Sequence, residues 1–324
     1  MPVLLDVRSE VWPLKERFSI SRGAKTAAEV VVVSLGDGAH RGRGESVPYA
    51  RYGESVAGVI DDIRRVAGNL TTRVALLDLL PPGAARNALD CALWDLDCKR
   101  TGQRAAALAN LPQPADVLTA YTISLATPEQ MAEKALAVSN LPLLKLKLGG
   151  DGDGVRMRAV RAARPDARLL VDANEAWSAT DLAALIADAS DCGIEVIEQP
   201  LPAQADDALK DVEHLVPICA DESVHTSADL DRISSLYDAV NIKLDKAGGL
   251  TGALDLLQQA RGRGLKIMIG SMVATSLAVA PALLLAPHAD WVDLDGPLLL
   301  GADREFGVLI ENGRIFPPPP ELWG

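Results

Sequence analysis

Beyond residue 115 the chain settles into a repeat that few folds accommodate: eight short apolar runs, most of them followed by a stretch patterned as a helix. The runs open at residues 118, 143, 167, 195, 217, 239, 266 and 290. They read LTAYTIS, LLKLKLG, ARLLVDAN, EVIEQP, PICADES, AVNIKLDK, KIMIGSM and DWVDLDG. Short apolar runs alternating with helices imply parallel strands buried on both faces. Eight such units predict a (β/α)8-type barrel. One intervening helix announces its own start, because Thr127-Pro128-Glu129-Gln130 supplies an N-cap, a proline in the first turn and the Gln of a capping box.

The first 115 residues lack this alternation and predict an α+β unit. VLLDVRSEVWPL and AEVVVVSLGDG read as strands, and ESVAGVIDDIRRVAGNL and GAARNALDCALWDLDCKRTG as helices. The second helix carries Ala85, Leu89, Ala92, Leu93 and Leu96 at helical spacing, with Gly102 just past its end. Two domains are expected: a capping domain over 1–115, joined by the returning segment 301–324, and a barrel over 116–300. The returning segment holds a turn signal at Glu311-Asn312-Gly313.

A formal net charge of −12 and the lack of any Lys/Arg block argue against nucleic acid or an anionic membrane as partner. No apolar run approaches the roughly 20 residues that cross a bilayer, and the N-terminus has no signal-peptide pattern. Cys91, Cys98, Cys192 and Cys219 form no C-x-x-C pair. A soluble protein of a reducing, cytoplasmic compartment is expected. Oligomeric state has no signature in the chain.

Barrel chemistry collects at the C-terminal ends of strands, and here nearly every run ends in a charged residue. Asp172, Glu198 and Asp221 close three successive strands. Three anions on one side of a barrel mouth repel unless a hard cation sits among them, and Mg²⁺ favours such oxygen donors. The bland alternative makes each acid a helix cap or a partner for a lysine. Lys145 and Lys147 share a face in LLKLKLG, and Lys243 stands across the mouth on the sixth strand. Like charge should lower a lysine pKa and make one of them a usable base. A divalent cation flanked by lysines on opposite walls suits removal of a proton α to a carboxylate and its return from the other face. The result is a 1,1-proton transfer that inverts a stereocentre.

The set Lys145-x-Lys147, Asp172, Glu198, Asp221 and Lys243-x-Asp245-Lys246-x-Gly248-Gly249 resembles the muconate-lactonising branch of the enolase superfamily, for which a lysine base with Mg²⁺ is an established pattern. RYGES, VDANEAW, EQPLPAQ, ICADES, VNIKLDKAGGL and DLDGP extend the similarity to the dipeptide epimerases of the L-Ala-D/L-Glu type. The resemblance implies a modified (β/α)7β barrel with an α+β capping domain and one Mg²⁺ per subunit held by Asp172, Glu198 and Asp221. It implies Lys147 and Lys243 as acid/bases working through an enediolate, with Lys145 assisting. It further implies Asp293 and Asp295 as the clamp for a dipeptide's ammonium, and Arg22 as the partner of a glutamate side chain, with Lys25 sharing that duty. Asn174, Glu222 and Asp245 would stand behind the metal and lysines. Tyr49, Arg51 and Tyr52 would form a second covering loop, while the Gly/Asp-rich LGGDGDG after Lys147 has no assigned role.

The substrate implied is L-Ala-L-Glu or L-Ala-D-Glu from murein recycling, inverted at the C-terminal residue. The same lysines and metal also serve N-acylamino-acid racemases, o-succinylbenzoate synthases and cycloisomerases. Their substrates lack an ammonium and would leave Asp293 and Asp295 without a cation. A non-catalytic binding barrel is a third reading, disfavoured because no ligand or lysine of the set is missing.

Overall fold

A long antiparallel ribbon opens the chain. The structure, a computed structural model, describes residues 2–324. Strand β1 (Val3–Ile20) pairs with β2 (Gly23–Gly36) across the Ser21-Arg22 turn, and β3 (Arg41–Ser46) adds to β2. β1 runs six residues past the expected end at Leu14. Residues 15–20 carry no apolar run, so their extension rests on pairing with Gly23–Lys25 and on Leu125 N donating to Ser19 O.

Helix Ala84–Thr101 is buried nearly all round because it is sandwiched. One side meets Val31, Val33 and Leu35 of β2. β3 then approaches so closely that a Cβ at Gly42 would lie 2.3 Å from Ala92 O, and one at Gly44 2.1 Å from Ala88 O. The other side is a polar seam with the barrel. Arg86 donates to Ala247 O and Gly248 O, Asn87 to Asp245, and Asp90 accepts from Thr251. Gly248 and Gly249 turn the chain here with positive φ.

After β4 (Val117–Leu118) come eight parallel strands, all at the expected runs. They are β5 (Tyr121–Ile123), β6 (Leu143–Lys147), β7 (Arg168–Asp172), β8 (Ile194–Glu198), β9 (Ile218–Ala220), β10 (Ala239–Lys243), β11 (Lys266–Gly270) and β12 (Trp291–Asp293). Neighbours pair in sequence order, and Ala120 N donating to Val292 O brings the two edges together. Helix Pro128–Ala137 starts in the expected capping box on Thr127 and Gln130. Only the short helix Gly296–Leu299 follows β12, in keeping with a (β/α)7β pattern.

The C-terminal return divides in two. The hairpin β13 (Ile310–Glu311) and β14 (Arg314–Ile315) pairs with β4 beneath the barrel and not with the N-terminal unit. The last residues do reach that unit: Trp323 Nε1 donates to Cys91 O and Gly324 N to Asp95 Oδ1.

Asp245, expected behind the metal, lies in this seam. Its Oδ1 accepts from Val47 N at 3.0 Å and Asn87 Nδ2 at 2.7 Å. Burial outweighs those bonds and pushes its carboxyl up to about 7. The folded protein therefore holds this proton between the unfolded value near 4 and about 7, so the Asp245 contribution to stability falls as pH rises through that window. Asp245→Asn keeps the accepting oxygen and removes the decline, so it should gain on the order of 1 kcal/mol or more over wild type at pH 8 relative to pH 5. Asp245→Ala strands two buried donors and should cost about 1–3 kcal/mol. Urea unfolding at both pH values measures each, and a loss for Asp245→Asn that grows with pH would overturn the account.

Candidate active site

Period-two alternation builds the site. Leu143, Leu170, Val196, Cys219, Met268 and Trp291 pack together as an apolar floor inside the barrel. Two residues further along each strand, the same face presents Lys145, Asp172, Glu198, Asp221, Gly270 and Asp293 at the mouth. Leu144, Leu146 and Leu148 point outward into the core under the helices. Gly270 is a spatial necessity, since a Cβ there would lie 2.6 Å from Asn241 Oδ1.

The mouth is a buried lattice of opposite charges. Lys145 Nζ lies 2.6 Å from Asp293 Oδ2, 2.5 Å from Glu198 Oε2 and 3.4 Å from Asp172 Oδ2. Lys147 Nζ is 2.5 Å from Asp172 Oδ2, and Lys243 Nζ is 2.8 Å from Asp221 Oδ2. Lys246, part of the motif behind the resemblance but given no role there, joins this lattice. It is buried, with Nζ 2.6 Å from Asp221 Oδ1 while also donating to Asp221 O and Asn241 O. Asn241 and Gln199 were also missed. Asn241 donates to Glu198 Oε1 at 2.8 Å, and Gln199 Oε1 accepts from Asp221 N and Ser223 N. Asn241 was findable, because it alternates with Lys243 on an inward face.

Electrostatics reverse the expectation of a depressed pKa at Lys145. Burial alone would lower Lys145, but Asp293, Glu198 and Asp172 outweigh it and raise its pKa well above the usual value. Lys243 is likewise raised, by Asp221 and Glu198 against burial. Burial works against the charge on Asp172 too, yet Lys147 and Lys145 draw it down to about 2. Glu198 is raised, first by burial and then by Asp172.

A cavity of about 840 Å³ opens above this lattice. Asp293 and Asp295 both border it, but by different routes. Asp293 ends β12, and its Oδ1 has no hydrogen-bond donor. Asp295 has left the strand and caps the short helix, where Oδ2 accepts from Thr122 N at 2.6 Å. Burial and the Asp293 charge raise its carboxyl to about 7.

The cover comes from the ribbon turn and the segment at 49–52. Arg22 donates to Asn174 O at 2.8 Å, Glu175 Oε2 at 3.2 Å and Glu222 Oε1 at 2.6 Å. Arg51 makes a two-pronged pair with Glu175 at 2.9 and 2.8 Å. Glu222 is pushed up to about 7 by burial and by Asp221. Asn174 contributes its backbone, with N donating to Asp172 Oδ1 at 2.9 Å, while its buried Oδ1 finds no donor. The LGGDGDG loop has a structural explanation. The buried Asp153 carboxylate accepts from Gly149 N, Gly150 N, Arg156 and Trp177 Nε1, folding the loop onto itself.

The donor set suits a hard cation. Asp172, Glu198 and Asp221 end adjacent strands, and the buried oxygens Glu198 Oε2, Glu222 Oε2 and Asn174 Oδ1 lack aligned donors. Among the described residues no three acidic, histidine or cysteine side chains already converge as a cage, since lysine ammoniums stand between the acids.

A parallel barrel with lysines on two walls, acids on three successive strand ends and an α+β cover is the architecture of an enolase-type barrel enzyme. The chain belongs to the mandelate racemase/muconate lactonizing enzyme family of the enolase superfamily. Residues 3–109 match the mandelate racemase/muconate lactonizing enzyme N-terminal domain, and residues 129–319 the enolase C-terminal domain-like family. It is 47% identical to the L-Ala-D/L-Glu epimerase of Escherichia coli over 95% of this chain and 98% of that protein. It is 42% identical to an N-acetyl-D-glutamate racemase of Pseudoalteromonas over 91% and 95%. Among solved structures it resembles an Agrobacterium tumefaciens enolase family member with bound sodium and L-Ala-L-Glu, at TM-score 0.98 and 48% identity, each chain covered completely.

Lys246→Met tests the buried lattice. It leaves the buried Asp221 short of one cation and takes a donor from the Asp221 and Asn241 carbonyls, so urea unfolding should show a loss of about 3–5 kcal/mol. A loss below 1 kcal/mol would contradict the arrangement.

Proposed function

We propose that the protein is a Mg²⁺-dependent dipeptide epimerase that inverts the α-carbon of the C-terminal residue, with L-Ala-L-Glu and L-Ala-D-Glu as substrates. The observation that carries the reading is the layout of charge across the mouth. Lys147 and Lys243 stand on opposite walls, beside the acids of three adjacent strands, and Asp293 offers an unpartnered buried oxygen at the far side.

In this proposal Asp172, Glu198 and Asp221 hold one Mg²⁺ per subunit. When bound, the cation offsets the negative charge that builds on the substrate carboxylate as its α-proton leaves. Lys145 orients the same carboxylate from the floor side. Lys147 and Lys243 then divide the proton work: one amine accepts the α-proton, and the ammonium opposite returns one to the other face. Each needs its acid neighbour to yield, Asp172 for Lys147 and Asp221 for Lys243, and that exchange of partners frees the amine to act as a base. Asp293 and Asp295 receive the dipeptide's ammonium, and Arg22 and Lys25 place positive charge above the mouth for a glutamate side chain. Asn174 and Glu222 support Asp172 and Arg22 from behind.

The N-acylamino-acid racemase reading has one point in its favour, the 42% identity to an N-acetyl-D-glutamate racemase. A neutral acyl group would leave the Asp293 oxygen buried and unpaired, which favours the dipeptide. Alanyl-glutamate as substrate supports a role in murein peptide recycling and, with it, a cytoplasmic location. No helix among the described residues is long and apolar enough to cross a membrane.

Proton NMR in D₂O with Mg²⁺ and L-Ala-L-Glu should show exchange at the glutamate α-position and growth of the epimer. Lys147→Ala and Lys243→Ala should each lower epimerisation by about 10³-fold or more, with exchange of one enantiomer surviving in one variant. Normal epimerisation by both variants would sink the two-base scheme. Asp293→Asn with Asp295→Asn should harm dipeptides at least about tenfold more than N-acetylglutamate, the ratio set by one charge-assisted contact. Equal losses would remove the ammonium assignment. Mg²⁺ at 100 times its dissociation constant should stabilise the fold by about 2.7 kcal/mol, and Glu198→Gln should reduce that gain.

A further inference from the structure

Of the three acids on successive strand ends, Asp221 has the least support from its own strand. Asp172 and Glu198 close β7 and β8 as a pair, and their carbonyls accept from Leu148 N and Ala173 N, just past the ends of β6 and β7. β9 stops at Ala220 and pairs through two residues on each side, so Asp221 stands one position beyond the ladder. Side chains hold its backbone instead. Asp221 N donates to Gln199 Oε1 at 2.9 Å, and Asp221 O accepts from Lys246 Nζ as well as from Val224 N. Gln199 directly follows Glu198, so a single residue joins two of the acids. It does so with a φ of +36°, a conformation that a non-glycine residue keeps only when its surroundings over-determine it.

A carboxamide can present either its oxygen or its nitrogen, and here Asp206 decides which. A carboxylate only accepts. Asp206 Oδ2 accepts from Ser223 Oγ at 2.7 Å and Tyr237 OH at 2.8 Å, while Oδ1 meets Arg232 Nη1 at 2.7 Å. Each hydroxyl has one proton, and with that proton spent on Asp206 it can only accept from Gln199. Gln199 Nε2 lies 2.8 Å from Ser223 Oγ and 2.9 Å from Tyr237 OH, and it shares its two protons among these and Leu201 O. Oε1 is thereby left facing the two backbone donors, Asp221 N and Ser223 N. Gln199, Asp206, Ser223 and Tyr237 are all buried, so each bond in the chain polarises the next. None of the four lines the large cavity, so whatever they do for the site passes through Asp221.

We propose that Gln199 is a positioning residue that sets the cation affinity of the mouth by fixing Asp221, and that Asp206, acting through Ser223 and Tyr237, holds the Gln199 amide in its working orientation. The assignment rests on the cation site proposed above. It gives a buried carboxylate outside the cavity control over a ligand inside it.

The test is calorimetric titration of the substrate-free protein with Mg²⁺, beside urea unfolding without the metal. Gln199→Met should raise the Mg²⁺ dissociation constant about 10–100-fold, the usual scale for a group that supports a metal ligand. Asp206→Asn keeps the shape but lets the hydroxyls and the amide reverse, and should raise it about tenfold. Tyr237→Phe leaves the route through Ser223 and should raise it less. In the Gln199→Met background, Asp206→Asn should add less than about twofold, because it acts through the missing amide. Should Gln199→Met not fold, Tyr237→Phe combined with Asp206→Asn makes the same comparison, and the pair should bind Mg²⁺ within about twofold of Asp206→Asn alone. Single variants that bind Mg²⁺ as wild type does, whatever their loss in urea, would overturn the role of Gln199 and leave the epimerase reading standing. Losses that simply multiply would do the same. Wild-type protein that binds no Mg²⁺ would overturn the cation site, and the assignment with it.

Discussion

Four lysine ammoniums and four carboxylates share the buried mouth of one barrel, and mutual neutralisation is the condition on which the rest depends. Lys145 is fully buried, and an isolated ammonium there would pay a desolvation cost of several kcal/mol. It persists because Asp293, Glu198 and Asp172 surround it. Lys147, Lys243 and Lys246 repeat the solution with Asp172 and Asp221. The supports around them follow from the same requirement. Asn241 satisfies Glu198, Gln199 holds the backbone at Asp221, and Gly270 leaves Asn241 room.

Such a lattice is poised, not inert. Each acid is divided among cations that compete for its oxygens, so a new cation or anion in the cavity changes several pairings together. Positive φ at Asn174, Glu175 and Gln199, all just past the ends of β7 and β8, marks where the backbone gives way to aim these groups. The cover is built on the same logic with less burial. Arg22 and Arg51 meet Glu175 and Glu222, tying the ribbon turn and the 49–52 segment to loops of the barrel. On the far side of the N-terminal unit, the seam of Arg86, Asn87 and Asp90 against residues 245–251 holds that unit by hydrogen bonds to specific atoms.

Much of this was legible in the chain. Short apolar runs ending in a charged residue state both that a strand is buried and which end is wet, so all eight barrel strands and the residues Lys145, Lys147, Asp172, Glu198, Asp221, Lys243 and Asp293 could be placed at one mouth. The capping box at Thr127 needed no tertiary information, because its bonds close within four residues. Less legible were groups whose role depends on partners far along the chain. Asp245 reads as a site residue next to Lys243, yet the short helix after β10 turns it to Val47 and Asn87. The hairpin at 310–315 carries a clear turn signal but no mark of its partner, and it joins β4 under the barrel.

The sequence by itself determined the parallel barrel, the charged mouth and the chemistry class, because period-two alternation dictates which side chains face inward together. Only the tertiary structure decided how those charges pair: that Lys145 and Lys243 are raised and not lowered, that Lys246 belongs to the lattice and that Arg22 is clamped. Like charges adjacent on one strand argue for a depressed pKa. The outcome turns on opposite charges delivered by other strands, and Coulomb energy depends on distances that no linear pattern contains.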